Sequence, residues 1–226
     1  MRLPKFTKRY HLKDYKMNLV ILVLALSILG VFVIGSAEPD NQSRQIIGLV
    51  IALTAMVVVS LIDYVWLMDF YWLIYGFVIL ILGAVLIIGT EVNGATRWIN
   101  LGFTNFQPSE LAKILLILFF AKFIAEHEDD INDKKTLLKY AALCAVPLAL
   151  IIAEPNLSTT ICTALVLCLL IYIGGLSYKF IGTVLVILIP TAIIFLAIVV
   201  QPNQPFLQDY QQERILAFLE PEKYAD

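Results

Sequence analysis

Apolar runs about as long as a bilayer is thick recur from one end of this chain to the other, and they leave few architectures open. A hydrocarbon core of about 30 Å is crossed by roughly 20 helical residues at about 1.5 Å each. The runs read from the sequence are 17–35, 45–62, 71–89, 108–124, 136–153, 157–174 and 180–200. Composition agrees, because charged residues make up 15% of the 226, against about 25% in soluble domains. The alternating pattern of a transmembrane barrel is absent. The expected fold is therefore an all-α polytopic membrane protein with seven transmembrane helices. Pro190 predicts a kink in the last of them, since it removes a backbone donor and crowds the preceding turn.

Charge orients the array. Arg2, Lys5, Lys8, Arg9, Lys13 and Lys16 all precede the first run, so the N-terminus is expected in the cytoplasm. With that orientation, inside segments carry eleven basic residues, adding Lys122, Lys134, Lys135, Lys139 and Lys179. Outside segments carry four, Arg44, Arg97, Arg214 and Lys223. Lys113 is left within the bilayer. The first run exceeds the core of a signal peptide and more spans follow it, so it reads as a retained helix. The organisation expected is a basic cytoplasmic segment 1–16, a transmembrane domain 17–200, and the start of a large external loop at 201–226. That loop contains an amphipathic helix predicted over 209–219. Cys144, Cys162 and Cys168 lie in apolar runs and read as small buried side chains. The acidic stretch 126–133 reads as a solvated connector. No nucleotide-binding glycine loop is present, and no nucleic-acid partner is expected.

The most informative polar insert is Asn93–Lys113, NGATRWINLGFTNFQPSELAK, between the third and fourth runs. Pro108 suits the first position of a helix, and Glu110 in the first turn complements the dipole. The outer end of this helix would present backbone N–H groups, with Lys113 roughly 7 Å further in. An N–H cluster backed by an ammonium is a seat for phosphate or pyrophosphate. The plainer alternative is that Glu110 and Lys113, at i and i+3, neutralise each other. Trp98 reads as an aromatic-belt anchor or as a cavity wall, and Arg97 as a partner for phosphate or for lipid headgroups. A second polar patch, Glu154-Pro155-Asn156-Leu157-Ser158-Thr159-Thr160, lies at the next outer turn. There Glu154 could complete a charge network with Lys113, or Asn156 or Ser158 could simply cap a helix.

Gly94-Ala95-Thr96-Arg97-Trp98-Ile99-Asn100-Leu101-Gly102 followed by Phe106-Gln107-Pro108-Ser109-Glu110-Leu111-Ala112-Lys113 resembles the signature of the SEDS family, the shape, elongation, division and sporulation proteins. Glu154-Pro155-Asn156-Leu157-Ser158-Thr159, where the family usually reads (Q/E)-P-D-L-G-T, and the tail residues Tyr210-Gln211, Arg214-Ile215 and Phe218 to Glu222 add to the likeness. The resemblance implies a peptidoglycan glycosyltransferase of about ten helices in the bacterial plasma membrane. Such an enzyme polymerises lipid II through β-1,4 bonds, releases undecaprenyl pyrophosphate, and works beside a class B penicillin-binding protein and among membrane lipids. It also implies that Arg97, Trp98, Gln107, Ser109, Glu110, Lys113, Glu154 and Asn156 line the substrate cavity. No resident cofactor is implied; a divalent cation at the pyrophosphate is the one candidate. The family's general-base Asp would lie beyond Asp226, so the resemblance predicts a truncated N-terminal portion that does not polymerise lipid II alone. Asn156 departs from the family's Asp, keeping its shape without its charge. Two other readings stay open: a transporter of the lipid-linked precursor, which needs access from both sides, and a non-catalytic scaffold for the penicillin-binding protein.

Overall fold

The computed structural model describes residues 16–92, 95–100, 102, 105–201, 212, 215 and 216. Most of the predicted basic N-terminus and amphipathic tail helix lies outside the described residues. Two compact units divide the chain, Met1–Phe70 with Asn100–Phe106, and Tyr71–Ile99 with Gln107–Asp226.

The first unit is a helical hairpin, α1 (Met17–Ala37) and α2 (Pro39–Ser60), followed by a short α3 (Tyr64–Met68). Helix α2 begins earlier than the apolar run suggested. Pro39 occupies its first turn and Asp40 faces its positive end, so a polar turn precedes the apolar stretch. A side chain at Gly35 would collide with Gln42, whose amide lies against the α1 backbone. The helix α3 was not anticipated. Asp63 starts it by accepting from the Val65 N–H at 3.0 Å, the usual role of Asp at a helix start. None of the residues in these helices is buried, which suits elements bathed in lipid.

The second unit holds the core. It contains α4 (Tyr71–Ile88), strand β1 (Thr90–Val92), strand β2 (Ala95–Asn100) as far as Ile99, then α5 (Pro108–Glu126), α6 (Lys134–Ala153), α7 (Leu157–Ile173) and α8 (Tyr178–Val199); the two-residue strand β3 (Asn105–Phe106) belongs to the first unit. The strands are a correction to a reading that had only helices and loops. Among the described residues, α1, α2, α4, α6 and α8 are each long and apolar enough to cross a membrane. Helix α7 is apolar but has 17 residues, and α5 carries Glu110, Lys113, Lys122 and Glu126. Helices α6 and α8 run on through Pro147 and Pro190.

Each packed helix buries one stripe. On α4 it is Ile74, Val78, Leu82 and Val85, and on α5 Ala112, Leu116, Phe119, Phe120 and Phe123. The three-and-four spacing puts each set on one side of its helix. Phe119 is the hub, with ring centroids 4.6 Å from Tyr75, 5.0 Å from Phe120 and 5.2 Å from Trp72. Tyrosine hydroxyls tie helices together where water is scarce. Tyr75 donates to the Leu143 carbonyl at 2.9 Å and Tyr140 to the Leu167 carbonyl at 2.7 Å. Tyr140→Phe is expected to cost about 1–2 kcal/mol, read by denaturant unfolding in detergent, because the Leu167 carbonyl loses its donor in a buried setting.

At one end of the unit Tyr71 donates to Glu126 at 2.5 Å, and Lys122 pairs with Glu126 at 3.2 Å. Asn132 donates to the Gly175 carbonyl at 3.0 Å and accepts from the Ser177 N–H at 2.7 Å. Asp130 accepts from Thr136 at 2.8 Å, and Ile131 is buried. The acidic side chains of the stretch are exposed, as a solvated connector requires, and Glu126, Asp130 and Asn132 also brace the helix ends. Cysteines divide similarly. Cys144 is buried, whereas Cys162 and Cys168 lie exposed on α7, whose apolar surface is not all core.

Candidate functional site

The strands β1 and β2, as far as Ile99, and the start of α5 lie at the opposite end of the second unit. Strands β1 and β2 pair antiparallel, with Thr90 opposite Trp98, Glu91 opposite Thr96 and Val92 opposite Ala95. The register slips between Thr90 and Glu91, which makes Arg97 the extra residue of a bulge. Bulges re-aim side chains and favour functional sites. The Thr90 hydroxyl donates to the Trp98 carbonyl at 3.1 Å, a brace the motif alone did not reveal. The hairpin lies close on the end of α4. A Cβ at Gly89 would stand 2.3 Å from the Val85 carbonyl oxygen and 2.9 Å from the Thr96 methyl. Only glycine fits there.

Helix α5 opens at Pro108 after Gln107, with no side-chain cap. The Glu110 N–H is already bonded to the Gln107 carbonyl at 3.2 Å and Pro108 has none. The expected N–H cluster thus reduces to the Ser109 N–H in this first turn. Gln107 Nε2 donates to Ser109 Oγ at 3.2 Å, and Ser109 is fully buried. Lys113 Nζ meets Glu110 Oε1 at 2.9 Å, with the lysine side chain 27% exposed and the glutamate 55%. The i, i+3 pairing is therefore formed, and an incoming anion would have to compete with Glu110 for the ammonium.

Glu154 ends α6 and is completely buried. Neither of its oxygens has a hydrogen-bond partner, and it makes no ion pair with Lys113. That corrects the anticipated charge network: Lys113 is turned to Glu110 on its own helix. Burial raises the Glu154 carboxyl to about 7; the Ser109 hydroxyl, near enough to favour the charged form without a well-formed bond, pulls the other way. Asn156 caps α7, accepting from the Thr159 N–H at 3.4 Å, while its Nδ2 is buried without a partner. The cap is Asn156 and not Ser158. Arg97 is half-buried and its Nε lacks a partner. No hydrogen bond or ion pair joins Arg97 or Trp98 to Glu110, Lys113 or Glu154. The structure thus brings Gln107, Ser109, Glu110 and Lys113 together on one helix start, with Glu154 against Ser109, and holds Arg97 and Trp98 on the hairpin.

Among the described residues no three His, Cys, Asp or Glu side chains converge, and Glu110 is taken by an ammonium.

Five helices long and apolar enough to cross a membrane, a bulged hairpin against the end of α4 and a charged pair at the start of α5 define a polytopic membrane protein with polar groups at one end of its second unit. The family model for cell cycle proteins of the FtsW, RodA and SpoVE type matches residues 15–226, and the chain belongs to this family. The resemblance read from the RWIxLG and QPSExxK residues is borne out. The chain is 32% identical over 211 residues to the peptidoglycan glycosyltransferase MrdB of Escherichia coli K12, covering 91% of this chain and 54% of that protein. It is 29% identical to a probable peptidoglycan glycosyltransferase FtsW of Burkholderia thailandensis, covering 96% and 49%. The chain thus spans about half the length of the curated relatives it matches. Among solved structures, a chain of a peptidoglycan synthase complex superposes with a TM-score of 0.75 at 30% identity, covering 92% of this chain and 60% of that one. The rod shape determining protein RodA of Thermus thermophilus gives 0.68 at 29% identity, covering 80% and 60%.

Proposed function

We propose that this chain supplies the N-terminal helices and the diphosphate-binding side of a peptidoglycan glycosyltransferase, a lipid II polymerase in the bacterial plasma membrane. The observation that carries the reading is the Glu110–Lys113 pair at the α5 start, set in a family whose relatives bear that activity in their names. In this reading the hairpin end faces outward, as the charge bias requires. The acceptor sugar's hydroxyl oxygen attacks the anomeric carbon of the donor, and the bond to the pyrophosphate breaks. Negative charge grows on the departing diphosphate, and the Lys113 ammonium, exchanged from Glu110, neutralises it. Arg97 on its bulge offers a fork of donors to the same phosphates, and Trp98 walls the cavity. The proton of the acceptor hydroxyl passes to a carboxylate in the remainder of the family fold, outside the half that this chain matches. A penicillin-binding protein is the proposed partner, because the matching solved chain comes from a synthase complex.

The test joins this chain in frame to the C-terminal half of Escherichia coli MrdB and supplies labelled lipid II in liposomes. Glycan chains from the fusion, and none from the 226-residue chain alone, are the expected result. Transfer of lipid II across the bilayer without polymer would overturn the reading in favour of a transporter.

A further inference from the structure

We propose that Glu154 is held as a neutral carboxylic acid and positions the start of α5 through Ser109, and with it the Glu110–Lys113 pair one turn along. The proposal deepens the reading of the same site and rests on it for the activity experiment alone.

Glu154 is the one carboxylate among the described residues that is buried, and it is fully so. Both oxygens lack hydrogen-bond partners. An ionised carboxylate in that position would be a buried charge with no ion-pair or hydrogen-bond partner, an arrangement proteins escape by neutralising the group. A protonated carboxyl instead has one O–H to give and one carbonyl to receive. Ser109 Oγ already accepts from Gln107 Nε2, which leaves its own proton for the Glu154 carbonyl. The two groups come from opposite sides of the junction, Ser109 on α5 and Glu154 at the end of α6, so the contact ties the α5 start to the α6–α7 turn.

The groups around Glu154 supply no counter-charge. On α5, Glu110 and Lys113 are occupied with each other. On α7, Asn156, Thr159 and Thr160 are buried and do not titrate in the accessible range. The titratable side chains of α4, Tyr71 and Tyr75, lie in its first turns at the far end of the helix. Those of α6 are Lys134, Lys135, Lys139 and Tyr140 in its first half and Cys144 at its middle, more than two turns before Glu154. Arg97 on β2 makes no ion pair with Glu154. The carbonyl end of α6 disfavours a negative charge and the nearby start of α7 favours one, so the two helix ends offset and burial decides.

The experiment has two arms. In the first, infrared spectra of the chain in lipid nanodiscs are compared with those of Glu154→Gln. At about pH 6 an ordinary glutamate, with a pKa of about 4.3, is ionised. The expected result is a protonated-carboxyl C=O band at that pH, missing from Glu154→Gln and disappearing with a midpoint near 7. Stability should follow the same group. The folded carboxyl is raised above the unfolded value, so the wild-type unfolding midpoint falls relative to Glu154→Gln as pH climbs from about 4.5 to about 7, and the difference levels off above that. Identical spectra for the two proteins at about pH 6 would overturn the proposal. In the second arm, in the MrdB fusion, Glu154→Ala loses at least about tenfold in glycan synthesis and Glu154→Gln recovers most of it. Equal losses for both variants would sink the positioning role. Should the unsubstituted fusion make no glycan, the polymerase reading fails and the infrared arm still decides the state of Glu154.

Discussion

Lys113→Met in the MrdB fusion is expected to lower the rate of glycan synthesis by about 100-fold or more, with a smaller effect on binding of the lipid substrate. The charge on the diphosphate grows as the glycosidic bond breaks, so a fixed cation contributes more in the transition state than in the bound ground state. Removing one such electrostatic partner typically costs about 10²–10³ in rate. The geometry adds a second expectation. Lys113 is paired with Glu110 at 2.9 Å, so Glu110→Gln frees the ammonium while leaving the side chain's shape. Glu110→Gln should therefore lose much less activity than Lys113→Met. In the double variant the two effects should not add, because they share one interaction. Rates for Lys113→Met within about twofold of the parent would remove the cation from the mechanism. A single-turnover assay with labelled lipid II separates the chemical step from substrate capture.

Phe119→Ala should destabilise the protein by about 3 kcal/mol, measured by reversible unfolding in detergent. The side chain is fully buried and touches an aromatic set drawn from α4 and α5. Buried Phe-to-Ala changes cost about 3–5 kcal/mol in water-soluble proteins. The low end applies here because lipid, not water, is the alternative environment, which leaves the cavity and lost contacts as the main terms. The control is Ile87→Ala on α4, where the residue is 85% exposed and the change should stay within about 0.5 kcal/mol. Similar losses for the two variants would mean that α4 and α5 do not pack as described.

Much of the site could be read before any geometry was known, and residue type explains which parts. Pro108, Glu110 and Lys113 carry their roles in local spacing: a proline starts a helix, and i, i+3 charges meet on one face. Asn156 likewise announced a cap. The hairpin over Thr90–Val92 and Ala95–Asn100 was not legible, since strands of three and six residues are too brief to show alternation. The bulge at Arg97 is a property of the pairing between two strands, so neither strand encodes it alone. The Glu154–Lys113 network, one of the two readings of that patch, is not formed, for a related reason. A charge of opposite sign nearby in the topology is an obvious match on paper, but whether two side chains meet depends on how α5 and α6 pack.

Chemical type and local spacing determined by themselves that this chain crosses a membrane several times, where its polar site begins, and to which family it belongs. Long apolar runs have few physical solutions. Which face of each helix is core was decided only by the tertiary structure. In water an amphipathic stripe marks the buried side, but lipid makes the outer face as apolar as the inner one. Leu73 and Val78 read alike in sequence, yet one is 69% exposed and the other 0%. The same holds for Glu154, whose carboxyl is ordinary in the chain and becomes unusual only when α5 and α7 close around it.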